Sequence, residues 1–529
     1  MDKKQISTLV KGAMVLTFAG IISKVLSAGY RIPLQNLTGD FGFYIYQQIY
    51  PILGMAMILG LYGFPSAISK IGADLQAEGK PLSVRQFYLP LFVILIFMNG
   101  FIFIIFFSGA STFAQVVGDM KLAGIYRMTA FTFLFIPLIA VIRGGFQAQN
   151  MMLPTAISQV SEQLVRVGMI ILASVYIALY GKDIYFIGMA ANSASYLGFL
   201  SASVVLVGFL FKYKPTFNSY YKIPWKVYVK TVFVFGIVAS FIHMMLLIVQ
   251  VADSLTLVPS LMAYGLSPDE ARMEKGVFDR GYPFIQLGAV LGSSFALALI
   301  PSLSKQKDLS DELYQAISKA LSFSLYLATG AMIGLLIIFP EINVLLFKDS
   351  QGDTTLQILS ISVLLSSLAI TSATILQSIG SVHMIAYLIG LLFLVKWWMN
   401  QWLVPLWGTI GSAMATVCSL FILCVLLVWQ LKRRLPKLKV LQGINGYALL
   451  LASASMAAFL FAMKWLLPNA TSINRLSLLF ITLLIVFCGA SIYIFILMKL
   501  NVFSKEELDL IPILPRLFRE KDKERRDKS

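Results

Sequence analysis

Apolar segments long enough to cross a bilayer follow one another along almost the entire chain, and the loops between them are too short to hold a folded domain. About 20 apolar residues span the roughly 30 Å hydrocarbon core as a helix. By that measure the spans fall near residues 8–30, 42–68, 86–109, 121–143, 156–180, 186–211, 227–259, 276–302, 312–338, 354–378, 383–404, 408–431, 443–467 and 475–500. The expectation is an all-α integral membrane protein with about fourteen transmembrane helices. The first apolar stretch contains Lys24 and precedes no small-residue cleavage pattern, so it reads as helix one and not as a cleaved signal peptide.

A chain that is 58% hydrophobic and 13% charged, with a mean hydropathy of +0.82, lies far from the soluble globular profile and leaves no room for an extramembrane enzyme domain. The formal charge of +17 would suit a nucleic acid, but the placement of the basic residues speaks against one. Of the 42 lysines and arginines, 28 fall on one set of alternate loops and span ends, 8 on the other set and 6 within spans. Lys212, Lys214, Lys222 and Lys226, then Lys432, Arg433, Arg434, Lys437 and Lys439, alternate with poorly basic loops such as 401–408. This positive-inside bias, with an even number of spans, puts both termini in the cytoplasm. Cys418, Cys424 and Cys488 lie within spans and read as small apolar residues. The two histidines are too few for a metal centre, and His243 reads as a packed or cavity residue.

A weak internal repeat organises the spans. Span two ends in Phe64-Pro65-Ser66-Ala67-Ile68-Ser69-Lys70 and span eight in Ile300-Pro301-Ser302-Leu303-Ser304-Lys305, while Gln147–Pro154 after span four is echoed by Gln377–Met384 after span ten. An offset of six spans preserves topology, so the pattern predicts two six-helix lobes in parallel repeat, related by an axis along the membrane normal. The expected division is an N-lobe at 1–215, a C-lobe at 216–440, two additional helices at 441–500 and a basic cytoplasmic tail at 501–529 near anionic lipid. Two such bundles can rock about a midplane and open a central cavity to either side.

A charge at the bilayer centre costs about 2.5–3.5 kcal/mol, so each one needs a route to water or a role. Lys24, Ser27 and Arg31 are spaced to share one face of span one. Either Arg31 marks the interface and Lys24 reaches up to it, or both line a cavity. Arg280 enters span eight beside Asp279, with Gln286 following, and Asp253 near the end of span seven is its expected counter-charge. Glu162 and Arg166, four apart in span five, are expected to pair with each other. Arg127 is near enough to a span end to snorkel. Lys396, followed by Trp397, Trp398, Trp402 and Trp407, reads as an interfacial anchor. Several cations with few intramembrane acids suit a phosphate or diphosphate, which arginine forks and lysine point charges both hold.

Ser23-Lys24-Val25-Leu26, Tyr30-Arg31-Ile32-Pro33-Leu34, Gly39 and Gly42 with Tyr44 and Gln47, and Gly63 to Lys70 together resemble the polysaccharide-exporter and flippase family of Gram-positive bacteria. That family includes SpoVB and MurJ-type members and shares a superfamily with MATE drug exporters. Glu162-Gln163 with Arg166-Val167, Val277 to Gly281, Ile285 to Gly288 and Ala298 to Ser302 carry the same likeness, which covers essentially the whole chain. The resemblance implies a flippase of a bacterial cytoplasmic membrane. It would move an undecaprenyl-diphosphate-linked saccharide, lipid II or a related cell-envelope or spore-cortex precursor, to the outer leaflet by alternating access. It implies no cofactor, with membrane potential or an ion gradient as energy source, and cell-wall synthesis enzymes as partners. Basic residues of helices one and eight contact the diphosphate in MurJ-type members, which matches Lys24, Arg31 and Arg280, with Ser27 and Gln286 beside them. Lys24 stands where MurJ-type members usually have arginine, and Gln47 or Gln48 where many have a basic residue. The other readings are a MATE-like ion-coupled antiporter and a membrane glycosyltransferase or polymer ligase. The outer loop 260–275 offers the latter only Asp269, Glu270 and Glu274.

Overall fold

The computed structural model describes residues 3–238, 240–303, 311–438, 443–466 and 474–502, with side chains described except at 3–14, 17, 294–303 and 312. Ser304 and Lys305 of the second Pro-Ser motif, Lys439 and the basic tail beyond Val502 lie outside the described residues. Among these residues every element is helical. The first half of the chain runs α1 (Lys3–Gly29), α2 (Arg31–Ile58), α3 (Phe64–Ala77), α4 (Leu89–Val117), α5 (Leu122–Phe131), α6 (Ile136–Ala148), α7 (Leu153–Tyr180) and α8 (Phe186–Tyr213). The second runs α9 (Trp225–Thr231), α10 (Ser240–Tyr264), α11 (Pro268–Asp279), α12 (Tyr282–Leu303), α13 (Asp311–Phe347), α14 (Asp353–Ser360), α15 (Ser362–Ser378) and α16 (Val382–Arg434). Then come α17 (Gly446–Leu466) and α18 (Arg475–Lys499).

Eleven helical stretches among the described residues are long and apolar enough to cross a membrane. Two of them, Phe18–Ala77 with 60 residues and Val382–Arg434 with 53, would be about 80–90 Å long if straight, nearly three hydrocarbon cores. Each breaks at a glycine that takes the left-handed region: Gly39 at φ 68°, and Gly408 at φ 56° beside a non-helical Trp407. Each stretch therefore supplies two passes. With α12 added, the count is compatible with fourteen.

The outward surface is apolar in the way lipid requires. Phe97, Phe101 and Ile104 of α4 and Phe480, Leu483 and Phe487 of α18 are exposed, a pattern that on a soluble protein would mark an aggregation site. α17 and α18 pack on α13 through their own apolar cluster, with Tyr326, Ile337, Met456, Leu460, Ile485 and Tyr493 buried together apart from the main core. They brace α13 and touch the rest of the molecule little.

Span eight starts later than its hydropathy suggests. Residues 268–279 form α11, a separate helix lying against α2 and α10. Ser267 caps it, accepting from the Glu270 amide while the Glu270 carboxylate takes the Ser267 amide, and Pro268 occupies the first turn. Arg280 is thus the hinge residue between α11 and α12, outside the interior of a span.

Candidate functional site

α1 and α2 meet without a turn. Tyr30 keeps right-handed helical dihedrals, its amide reaches Leu26 O and its carbonyl takes Leu34 N, so one rod continues until Gly39. Lys24, Ser27 and Arg31 therefore do share a face, and Arg31 lies within the rod, about 10 Å along it from Lys24. Arg31 is buried. Its Nη2 donates to Gln286 Oε1 of α12 at 3.4 Å and its guanidinium lies 4.0 Å from the Tyr50 ring centroid. Nε and Nη1 make no hydrogen bond of ordinary geometry, although the Tyr30 hydroxyl is within reach of the group and the phenols of Tyr46 and Tyr50 lie near it. Lys24 is exposed, one helical turn before Ser27 and two before Arg31. Its charge reaches His243 of α10, likewise exposed, which stacks on Tyr62 at 4.8 Å across the two halves. Ser27 is half-buried.

A second cationic group lies close by. Glu162 pairs with Arg166 at 2.7 Å, as its spacing suggests, and also with Arg143 of α6 at 3.0 Å. Two guanidiniums share one carboxylate, all buried, so one positive charge is left over. Arg166 Nε and both amide atoms of Gln47 have no partner, and the charges of Arg31 and Arg166 both reach Tyr30. Arg31 and Arg166 thus each bring a buried, partly unmatched guanidinium to the neighbourhood of Tyr30, a density of unpartnered polar atoms that is uncommon in a folded interior.

Toward the α11 end the halves are latched. Arg280 donates to Asp40 from Nε at 2.9 Å and Nη2 at 2.6 Å, and to Asp349 from Nη1 at 2.6 Å and Nη2 at 3.0 Å. Its Nη1 also reaches Asn343 Oδ1 at 3.1 Å. Arg272 lies 3.4 Å from Asp119 and donates to Gly118 O at 3.1 Å, while Tyr185 donates to the same carboxylate at 2.7 Å. Burial opposes the Arg272 charge, but Asp119, helped by Tyr185, Tyr44 and Asp269, outweighs it and raises the pKa. Partial burial and then the Asp40 carboxylate push Glu274 up, whereas hydrogen bonds from the Ser267 side chain and amide pull Glu270 down. Among the described residues, both ion pairs that join the halves lie at this end.

Two expectations change. Asp253 is not the counter-charge of Arg280; it pairs at 2.8 Å with Lys396, and Asp279 pairs with Lys275 on the preceding turn of α11. Lys396 is accordingly no interfacial anchor: it is wholly buried, while Trp398 and Trp402 beside it face outward. A helix that alternates aromatics outward with a lysine inward looks like an anchor until the partner helix is known. Arg127 is exposed and held by Ser111, as a snorkelling residue would be. Arg143, Asp40, Asp349, Asn343 and the Arg272–Asp119 pair escaped the reading of the sequence. Arg143 sits at a span end, where a basic residue is ordinary, and Asp40 and Asp349 sit in turns whose proximity only the fold creates. The Gly39-Asp40 step was the one signal present: a glycine break placing an acid at the top of a cationic rod.

Residues 9–307 match the polysaccharide biosynthesis protein family. The chain is 37% identical over 518 residues, 95% of its own length and 94% of the relative's, to an uncharacterized membrane protein, YabM, of Bacillus subtilis (strain 168). It is 25% identical to the stage V sporulation protein B of the same organism, over 96% of this chain and 99% of that one. Its fold matches the solved structure of the lipid II flippase MurJ in an inward closed conformation with a TM-score of 0.64 and 14% identity, over 92% of this chain and all of that one. This fold, with its buried cations and the ion pairs that join its halves, is thus a known scaffold, and the chain belongs to the polysaccharide biosynthesis protein family as a multi-pass membrane protein with a MurJ-like fold.

Proposed function

We propose that this protein carries an undecaprenyl-diphosphate-linked saccharide from the inner to the outer leaflet by alternating access, with Lys24, Arg31 and Arg166 receiving the diphosphate. The observation that carries the reading is the Arg31 guanidinium, buried with two nitrogens unpartnered on the helix face that also carries Lys24. A diphosphate supplies the acceptors and the charge that this group lacks. An organic cation fits poorly, because Glu162, Asp253 and Asp279 each already hold a lysine or arginine.

Two further features suit a lipid-linked cargo. α2 meets α12 at Arg31 and Gln286, and Phe18, Ile21, Ile22 and Val25 of α1 and Leu291 of α12 offer an apolar, exposed surface next to that contact, along which a lipid tail could stay in the membrane. An apolar recess of about 530 Å³ lies between α2, α10 and the first segment of α16, lined by Met55, Ile248 and Leu394 among others. In this scheme the lobes at 1–215 and 216–440 rock about each other, and the Arg280 and Arg272 contacts are the outer seal.

The test is flipping of a fluorescent undecaprenyl-diphosphate sugar by proteoliposomes. Wild-type protein should accelerate it and Arg31→Ala should not. Uptake of an organic cation, unaffected by Arg31→Ala, would favour the antiporter reading instead. Rescue of cells depleted of their lipid II flippase separates lipid II from a different saccharide.

A further inference from the structure

One cluster in the second half of the chain has no part in this scheme. Lys396, Asn400, Asp253, Thr256, Ser412 and Tyr282 are buried together among α10, α12 and α16. The Lys396 ammonium donates to Asn400 Oδ1 at 2.9 Å, to Ser412 O at 2.7 Å and to Ser412 Oγ at 3.1 Å, and Asp253 Oδ1 lies at 2.8 Å. A carboxylate, an amide carbonyl, a main-chain carbonyl and a hydroxyl form the all-oxygen donor set that hard cations take. The donors are themselves fixed. Asn400 Nδ2 donates to Asp253 Oδ1 and to Thr256 Oγ1, both at 2.8 Å, Ser412 Oγ donates to Asp253 Oδ1 at 3.0 Å, and the Tyr282 hydroxyl donates to Asp253 Oδ2.

The cage holds one net negative charge, since Asp279 beside it is matched by Lys275. One negative charge suits a monovalent cation. Three ammonium protons face four acceptor oxygens, so none is left for a phosphate, and the side chain has no exposed surface. The break at Gly408 lets the two segments of α16 contribute from both sides, Lys396 and Asn400 before it and Ser412 after it.

We propose that Lys396 is a tethered cation: its ammonium fills an oxygen cage that would otherwise take a free monovalent ion, and ties α10 to both segments of α16 with no ion from solution. Removing the side chain to Cβ then leaves Asp253 unpaired and the cage open to a small cation, and removing both charges leaves nothing for a cation to do.

The test is thermal unfolding of the purified full-length protein in detergent, in sodium, methylammonium or choline chloride at one concentration. Wild type should unfold at the same temperature in all three. Lys396→Ala should unfold earlier in choline chloride and recover in sodium or methylammonium chloride. Lys396→Met with Asp253→Asn should be more stable than Lys396→Ala in choline chloride and indifferent to the salt; should Lys396→Ala fail to accumulate, accumulation of the double variant supports the proposal. Stabilisation of wild type by sodium over choline overturns it. So does a Lys396→Ala protein indifferent to both small cations, or a double variant no more stable than Lys396→Ala.

Discussion

At the scale of single residues, the decisive contrast is between cations that are satisfied and cations that are not. Arg280 has a carboxylate or amide oxygen for every nitrogen, and Lys396 has one for every proton, whereas Arg31 keeps two idle nitrogens in the interior. Leaving a buried polar group unmatched costs about 1–3 kcal/mol, more for a charge, so the arrangement is understandable when a ligand completes it. If Lys24 and Arg31 hold one diphosphate, each alanine substitution should lower flipping about tenfold to hundredfold, the loss of one charge-assisted contact of roughly 1.5–3 kcal/mol. The double substitution should be little worse, because effects within a shared site are not additive. Lys24→Arg should remain active and Lys24→Glu should not. A proteoliposome flipping assay at matched protein levels checks all five variants; independent mild effects with an active Lys24→Glu would show that this face only sets the local potential.

Elements rather than residues make the seal. α11 exists as a helix because of its capping box, and through it Arg272 meets Asp119 while the α11–α12 hinge delivers Arg280 to Asp40 at the break after Gly39. Breaking a buried ion pair by removing one partner costs about 3–5 kcal/mol. Asp349 keeps about a third of its side-chain surface, so the latch should lose less, on the order of 1–3 kcal/mol. Arg280→Ala and Asp40→Asn should therefore fail alike in transport, although only one of them removes a cation. Both should raise the reactivity of a cysteine at Lys24 toward a membrane-impermeant thiol reagent applied from the α11 side. If Asp40→Asn transports normally while Arg280→Ala is inactive, Arg280 grips the substrate and does not act as a latch.

For the whole molecule, the bias of basic residues predicts that α11 is extracellular and both termini cytoplasmic. Ser267 is a poor reporter because it caps α11; Met273 is exposed on that helix. In a background with Cys418, Cys424 and Cys488 replaced, Met273→Cys should be labelled in intact cells by an impermeant reagent, and protection until the membrane is opened would reverse the orientation. The transmembrane character, the helical class and the family were legible in the sequence, because hydrocarbon admits so few backbone solutions that segment length and apolarity nearly determine the element. So was the shared face of Lys24, Ser27 and Arg31, and the Glu162–Arg166 pair, since both depend only on helical periodicity. Beyond such pairs on one helix, tertiary structure alone decided who neutralises whom. Asp40 and Asp349 reach Arg280 across 240 and 69 residues of chain, and Asp253 reaches Lys396 instead of Arg280. Periodicity places a charge on a face, but which opposite charge meets that face is set by helix packing, and packing between helices leaves no period in the sequence.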